Sequence, residues 1–243
     1  MFSMNERQAL MRDMLVLLGI VGWALVLPHY GSEFSVSMGL TCLMYVALSS
    51  SWGLFCGSTR YLSLATSAFF GVGAYTTAIG LGQLAWIEVI VLGSCIAGLL
   101  AIVMGAAVLH LRGTYFAVLT FGMAELVRHA ISYFEKSVSG TVGRVLSVVP
   151  EMSVLYLTVL AIAVVSLVLS IVVRRTRFGL ALIGIGADEQ RAQTLGVNTR
   201  LIKITGFAMT AAVAGAVVRR WPYAGRILIR TPLLIRLSDS KLY

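Results

Sequence analysis

Long apolar runs separated by short polar stops set the pattern of this chain. The runs cover residues 14–30, 36–56, 62–82, 86–109, 114–133, 154–173 and 201–218. Most are close to twenty residues, the length that crosses a bilayer core at about 1.5 Å of rise per residue. The pattern predicts an all-α, polytopic helical membrane protein with about seven spans. The first run is short and closes at Pro28, and no Ala-x-Ala cleavage site follows it, so it reads as an uncleaved first helix. Within the third run Ser63, Ser67 and Gly71 recur every four residues, followed by Ala74, Ala78 and Gly82. Such a stripe of small residues lets a second helix backbone approach closely. Gly71 and Gly73 also suit a second reading, a bend lining a translocation path.

Composition agrees with the pattern. Of 243 residues, 58% are hydrophobic and 12% charged, with a mean hydropathy of +0.91. A soluble domain of this size needs more polar surface to cover its core. The net charge of +9 invites a nucleic-acid reading, but the cations lie between apolar runs and at the C-terminus. They form no basic helix face and no aromatic stacking platform, so nucleic acid is not an expected partner. Membrane orientation accounts for the internal cations. With the N-terminus in the cytoplasm, the connections 57–61, 110–113 and 174–200 lie inside, with Arg60, Arg112, Arg174, Arg175, Arg177, Arg191 and Arg200. The other side receives only Lys136 and Arg144 before the tail, as the positive-inside rule requires. The tail, 219–243, breaks the rule: it carries Arg219, Arg220, Arg226, Arg230, Arg236 and Lys241 against Asp239 alone. Either the 201–218 run does not cross fully or the tail is atypical.

Few residues offer chemistry. Glu125 lies about twelve residues into a run, with Arg128 and His129 three and four positions later on the same helix face. A carboxylate at mid-bilayer costs at least about 2.5–3.5 kcal/mol and should have partners. A structural Glu125–Arg128 pair and a polar translocation path both fit. Glu88, one turn into its run, reads as interfacial. Cys42, Cys56 and Cys95 lie in apolar runs without Cys-x-x-Cys spacing and read as small buried residues. His29, His110 and His129 lack metal-ligand spacing, and there is no His-Glu-x-x-His, Walker A or Gly-x-Ser-x-Gly motif. The chain is therefore not expected to be an enzyme, nor to bind a metal or cofactor. The 174–200 stretch is the longest markedly polar segment. Within it Asp188-Glu189 opens a short helix-like stretch through Ala192 that ends at Gly196, its acidic start complementing the helix dipole.

Four blocks resemble one family. Tyr61-Leu62-Ser63-Leu64 with 68–75, Leu111-Arg112-Gly113-Thr114-Tyr115-Phe116-Ala117 with Glu125-Leu126-Val127-Arg128, Thr176-Arg177-Phe178-Gly179-Leu180-Ala181-Leu182, and Leu195-Gly196-Val197-Asn198 stand in the order found in permeases of branched-chain amino acid ABC importers. The resemblance covers roughly 40–218. It implies a transmembrane permease domain over 1–218, with a cytoplasmic coupling loop at about 174–200 that docks on an ATPase through Asp188, Glu189, Ala192 and Gly196. The family's coupling pattern Glu-Ala-Ala-x-x-x-Gly is matched here only at Ala192 and Gly196. Implied partners are a homologous second permease subunit, two cytoplasmic ATPases that use ATP, a periplasmic or lipid-anchored binding protein, and the lipid bilayer. The implied location is the bacterial inner (cytoplasmic) membrane. The implied cargo is a branched-chain or other hydrophobic amino acid, with urea or short amides as the alternative. Gly71, Gly73, Glu125 and Arg128 are the candidate pathway or packing residues. Relatives continue past 218 into further apolar spans, so truncation or a shifted frame is expected there, with a non-transporting scaffold or remnant as the other reading.

Overall fold

The computed structural model describes residues 19–28, 30–81, 84–111, 113–139 and 151–217. The start of the first run, Arg112, Gly82, most of the Gly-rich 137–143 stretch and the tail 219–243 lie outside them. The described residues form α1 (Gly19–Pro28), α2 (Glu33–Thr59), α3 (Thr66–Gly80), α4 (Trp86–Val108), α5 (Thr114–Ser139), α6 (Met152–Arg175), α7 (Arg177–Ala187), α8 (Glu189–Thr194) and α9 (Thr199–Ala216).

The expectation of seven spans needs correction. Three helices among the described residues, α2, α4 and α6, are long and apolar enough to cross a membrane. The reason is partly length and partly charge. At 15 residues α3 rises only about 22 Å, short of a hydrocarbon core of about 30 Å. Helix α5 is long enough but carries Glu125, Arg128, Glu135 and Lys136, and α9 carries Arg200 and Lys203 in its first turns. The chain is thus an all-α polytopic membrane protein with three clear spans. The outward faces stay apolar: Ile87, Leu99 and Val103 of α4 are more than 60% exposed, which in a helix whose one charge, Glu88, lies in its first turn suits lipid rather than water.

Contacts along the helices fix their directions. Ser166 donates to the Ala47 carbonyl, Ser170 to that of Ser50 and Arg174 to that of Gly53, so α2 and α6 run parallel. These serines replace bulk at the helix contact and hydrogen-bond across it. Helix α9 runs antiparallel to α4, with Gly215 beside Gly93 at one end and Lys203 beside Leu109 at the other. It also runs antiparallel to α2, where Thr210 donates to the Ser51 carbonyl and Gly206 faces Phe55. The ends of α2, α4 and α6 and the starts of α3, α5 and α9 therefore gather at one end. Arg60, Arg174, Arg175, Arg177, Arg191 and Arg200 belong to that end by sequence position.

Two cores result. One joins α1, the first half of α2 and α6 around Leu40, Met44, Tyr156 and Val159. The other, toward the basic end, stacks Phe55, Phe69, Phe116 and Phe207, with ring centroids 5.3–6.5 Å apart. Tilted and edge-on aromatic contacts of this kind add to the burial of their area.

Two further expectations change. The apolar pattern predicts a helix from residue 62, but α3 begins only at Thr66. Residues 61–65 stay non-helical because their backbone finds other partners: Trp52 donates to the Ser63 carbonyl, the Ser63 amide donates to Cys56, and the Leu64 amide to Thr120. Ser63 therefore does not belong to a helical stripe. The 174–200 stretch is not a plain loop either. It folds into α7 and α8, and α7 buries Gly179, Leu182 and Ile185 against α2, α6 and α9.

Candidate functional site

The basic end carries the polar arrangement with most structure. Helix α8 starts where the Asp188 carboxylate accepts from the amides of Gln190 (2.9 Å) and Arg191 (3.1 Å), satisfying two of the donors a helix start leaves open. It ends in a Schellman turn: the Val197 amide donates to the Ala192 carbonyl and the Gly196 amide to that of Gln193. That turn needs the left-handed backbone of Gly196, at φ +81°. Ala192 is buried beneath α8, while Gln190, Arg191, Thr194 and Leu195 face outward, Leu195 at 83% exposure.

The inner face of α8 holds a buried ion pair. Lys203 Nζ lies 2.7 Å from Glu189 Oε1, with side chains 4% and 9% exposed. The same ammonium donates to the Leu109 carbonyl at 2.9 Å, at the C-terminal end of α4. A cation there also meets the negative end of that helix's dipole. The second carboxylate oxygen accepts from the Tyr61 hydroxyl at 2.7 Å, and the Lys203 ammonium sits 4.8 Å from the centre of the Tyr61 ring. Four segments meet here: the turn after α2, the end of α4, the start of α8 and the second turn of α9. Both charges are fully engaged, which a buried pair requires if it is not to destabilise the fold.

Above this cluster three glycines meet. A Cβ on Gly73 would collide with the Gly215 carbonyl, and one on Gly215 would collide with the Ala97 Cβ and lie 2.8 Å from the Gly93 carbonyl oxygen. Helices α3, α4 and α9 cross backbone against backbone at this point. Gly71, by contrast, faces open space. Glu125 pairs with Arg128 on the outward side of α5, at 2.6 Å, with His129 3.9 Å from the same carboxylate oxygen. Their side chains are 40%, 68% and 76% exposed. Glu88 accepts from the Ala85 amide and closes the start of α4. A 330 Å³ apolar cleft between α4, α6 and α9, lined by Ser94, Ile162, Val165, Leu169, Met209 and Val213 among others, includes none of Gly71, Gly73, Glu125 or Arg128. Among the described residues no group of three potential metal ligands comes together.

The structure thus brings Asp188, Glu189, Ala192 and Gly196 together on α8 and its turn, and leaves Glu125 and Arg128 apart from them. Sequence reasoning missed Lys203 and gave Tyr61 no role. One signal was available: a lysine in the second turn of an apolar helix must find an anion, and Glu189 is the acidic residue closest before it.

The described residues thus place a short helix beneath parallel and antiparallel apolar helices, at their cation-rich end. The chain belongs to the family described as branched-chain amino acid transport system / permease component, which it matches over residues 35–217. It is 26% identical to the high-affinity branched-chain amino acid transport system permease protein LivM of Escherichia coli (strain K12), over 84% of this chain and 56% of that protein. It is 27% identical, with the same coverage, to LivM of Salmonella typhimurium (strain LT2). The chain therefore spans little more than half the length of these relatives. No solved structure matches.

Proposed function

We propose that this chain is a membrane permease subunit of an ATP-driven importer, sited in a bacterial inner membrane, whose cargo is a branched-chain or other hydrophobic amino acid. In this reading 1–218 is the permease domain and 174–200 its coupling region. Asp188, Glu189, Ala192 and Gly196 shape α8 as the element that docks on an ATPase, its outward residues Gln190, Arg191, Thr194 and Leu195 meeting the motor. A homologous second permease completes the pathway, two cytoplasmic ATPases use the ATP, and an extracytoplasmic binding protein delivers the ligand. Movement of α8 tilts packed helices between two arrangements, a switching mode that close-packed interfaces support because they are bistable rather than elastic. Gly73 serves the packing that slides in this motion, with Gly71, Glu125 and Arg128 as candidates for the path or for contact with the second permease.

The observation that carries this reading is α8 itself: capped at both ends, anchored on its inner face and bare on its outer face at the basic end. The test is co-expression with a sister permease, two ATPases and a binding protein of the same transport family, followed by uptake of labelled leucine and labelled urea. ATP-dependent leucine uptake that requires this chain is the expected result. Uptake of urea alone reassigns the cargo, and uptake of neither rejects the importer reading.

A further inference from the structure

We propose that Lys203 and Glu189 are a positioning pair that makes α8 and α9 move as one body, so that displacement of α8 by a bound motor reaches the glycine crossing. The inference rests on the importer reading above and adds the residues that transmit its motion. Helix α8 has six residues, too few to hold their shape or place by their own hydrogen bonds. Covalently it joins α9 through 195–198, a turn that contains the left-handed Gly196 and could absorb a displacement by bending. The ion pair bypasses that turn. It ties the first residue of α8 directly to the second turn of α9; beyond the pair, the other carboxylate oxygen accepts from Tyr61 and the ammonium donates to the Leu109 carbonyl.

From Lys203 the helix continues without interruption to Gly215, twelve residues or about 18 Å along its axis. There its carbonyl stands against Gly73 with no side chain between them, and Gly93 closes the other side. Backbone in direct contact with backbone has no rotamer to yield, so a shift of α9 is passed to α3 and α4. The Lys203 bond to the Leu109 carbonyl gives α4 a second attachment at its basic end. A merely structural pair would need no such alignment with the crossing. It would affect how much protein folds but not how ATP use relates to transport.

The experiment measures ATP hydrolysed per leucine imported by the complete complex in proteoliposomes, alongside the amount of complex assembled. The double variant Glu189→Gln/Lys203→Met removes both charges together, so neither is left buried alone. It is expected to assemble in wild-type amounts, while the ATP hydrolysed per leucine imported rises at least tenfold. Lys203→Arg, which keeps a cation at this place, should bring that ratio back to within about threefold of wild type. A double variant with a wild-type ratio of ATP to leucine overturns the proposal. If that variant does not accumulate, Tyr61→Phe removes only one donor to Glu189; a ratio raised about threefold supports the proposal and an unchanged ratio overturns it. A wild-type complex that imports no leucine defeats the importer reading itself, before any variant is compared.

Discussion

Glu189 and Glu125 are both carboxylates paired with a cation in an apolar chain, and the structure treats them in opposite ways. Glu189 is 9% exposed and reaches a lysine on another helix, with a tyrosine and a helix-end carbonyl completing the cluster. Glu125 is 40% exposed and reaches an arginine one turn away on its own helix. The first pair joins four segments and the second joins none. The difference teaches that what matters for a charge in such a chain is the number of elements it ties together, not the apolarity of the run around it.

The widest gap between the two should come from breaking one partner of each. Lys203→Met leaves the Glu189 charge buried without its counter-ion, a change that costs about 3–5 kcal/mol. Thermal unfolding of the purified protein in nanodiscs should show a large drop in Tm for K203M. If K203M melts with the wild type, the cluster is not the anchor that the contrast requires.

The same contrast exists among the glycines, at a smaller scale. Gly73 belongs to the crossing and Gly71, two residues earlier on the same helix, faces open space. Gly73→Ala must push a methyl into the Gly215 carbonyl and should cost about 1–3 kcal/mol, as overpacking does. Gly71→Ala meets nothing and should be neutral or stabilise by about 0.5–1 kcal/mol, the usual gain from replacing glycine in a helix. Equal melting of G73A and G71A would dissolve the distinction between a packed and an open face.

These contrasts were unequally visible in the amino-acid sequence. Helices α2, α4 and α6 were legible because an apolar run of span length has few other solutions in lipid. The start of α3 was not: Leu62, Leu64 and Ala65 are as apolar as a helix would be, and bonds to Trp52, Cys56 and Thr120, distant in sequence or across a turn, engage that backbone instead. Helix α7 is hidden inside the polar 174–200 stretch, and its eleven residues are too few to form a run of span length. The Gly196 turn was legible through local rules, since a glycine after a short polar helix has a known geometric use. The ion pair followed no local rule. Lys203 lies 14 residues from Glu189, 94 from Leu109 and 142 from Tyr61 in sequence, and only tertiary packing brings them together. Glu125–Arg128 stood out instead because i,i+3 spacing is the one kind of pairing a sequence displays directly.

The Gly196 turn offers an intermediate test on the Glu189 side. Gly196→Ala keeps every partner of the ion pair but places a side chain at φ +81°. The left-handed conformation costs an L-residue about 1–2 kcal/mol, so a modest fall in Tm is expected, well short of that for K203M. A fall as large as that for K203M would mean that the turn, rather than the pair, holds α8 in place.

The smallest effect should be at α5. Arg128→Ala removes a partner whose side chain is 68% exposed from a carboxylate that is itself 40% exposed. Where they face water, exposed pairs at this spacing contribute less than about 1 kcal/mol, because solvent screens both charges. His129, 3.9 Å from the same oxygen, stays close to the carboxylate that remains. The isolated subunit should therefore melt within a degree or two of wild type. The same variant in the complete complex supplies the sharper comparison. If the outward face of α5 meets lipid or water there, the two measurements agree. If a second permease covers it, the pair becomes buried on assembly, and R128A should weaken the complex while leaving the subunit alone unchanged. That outcome would turn Glu125 into a charge that ties elements together after all, only between subunits rather than within one.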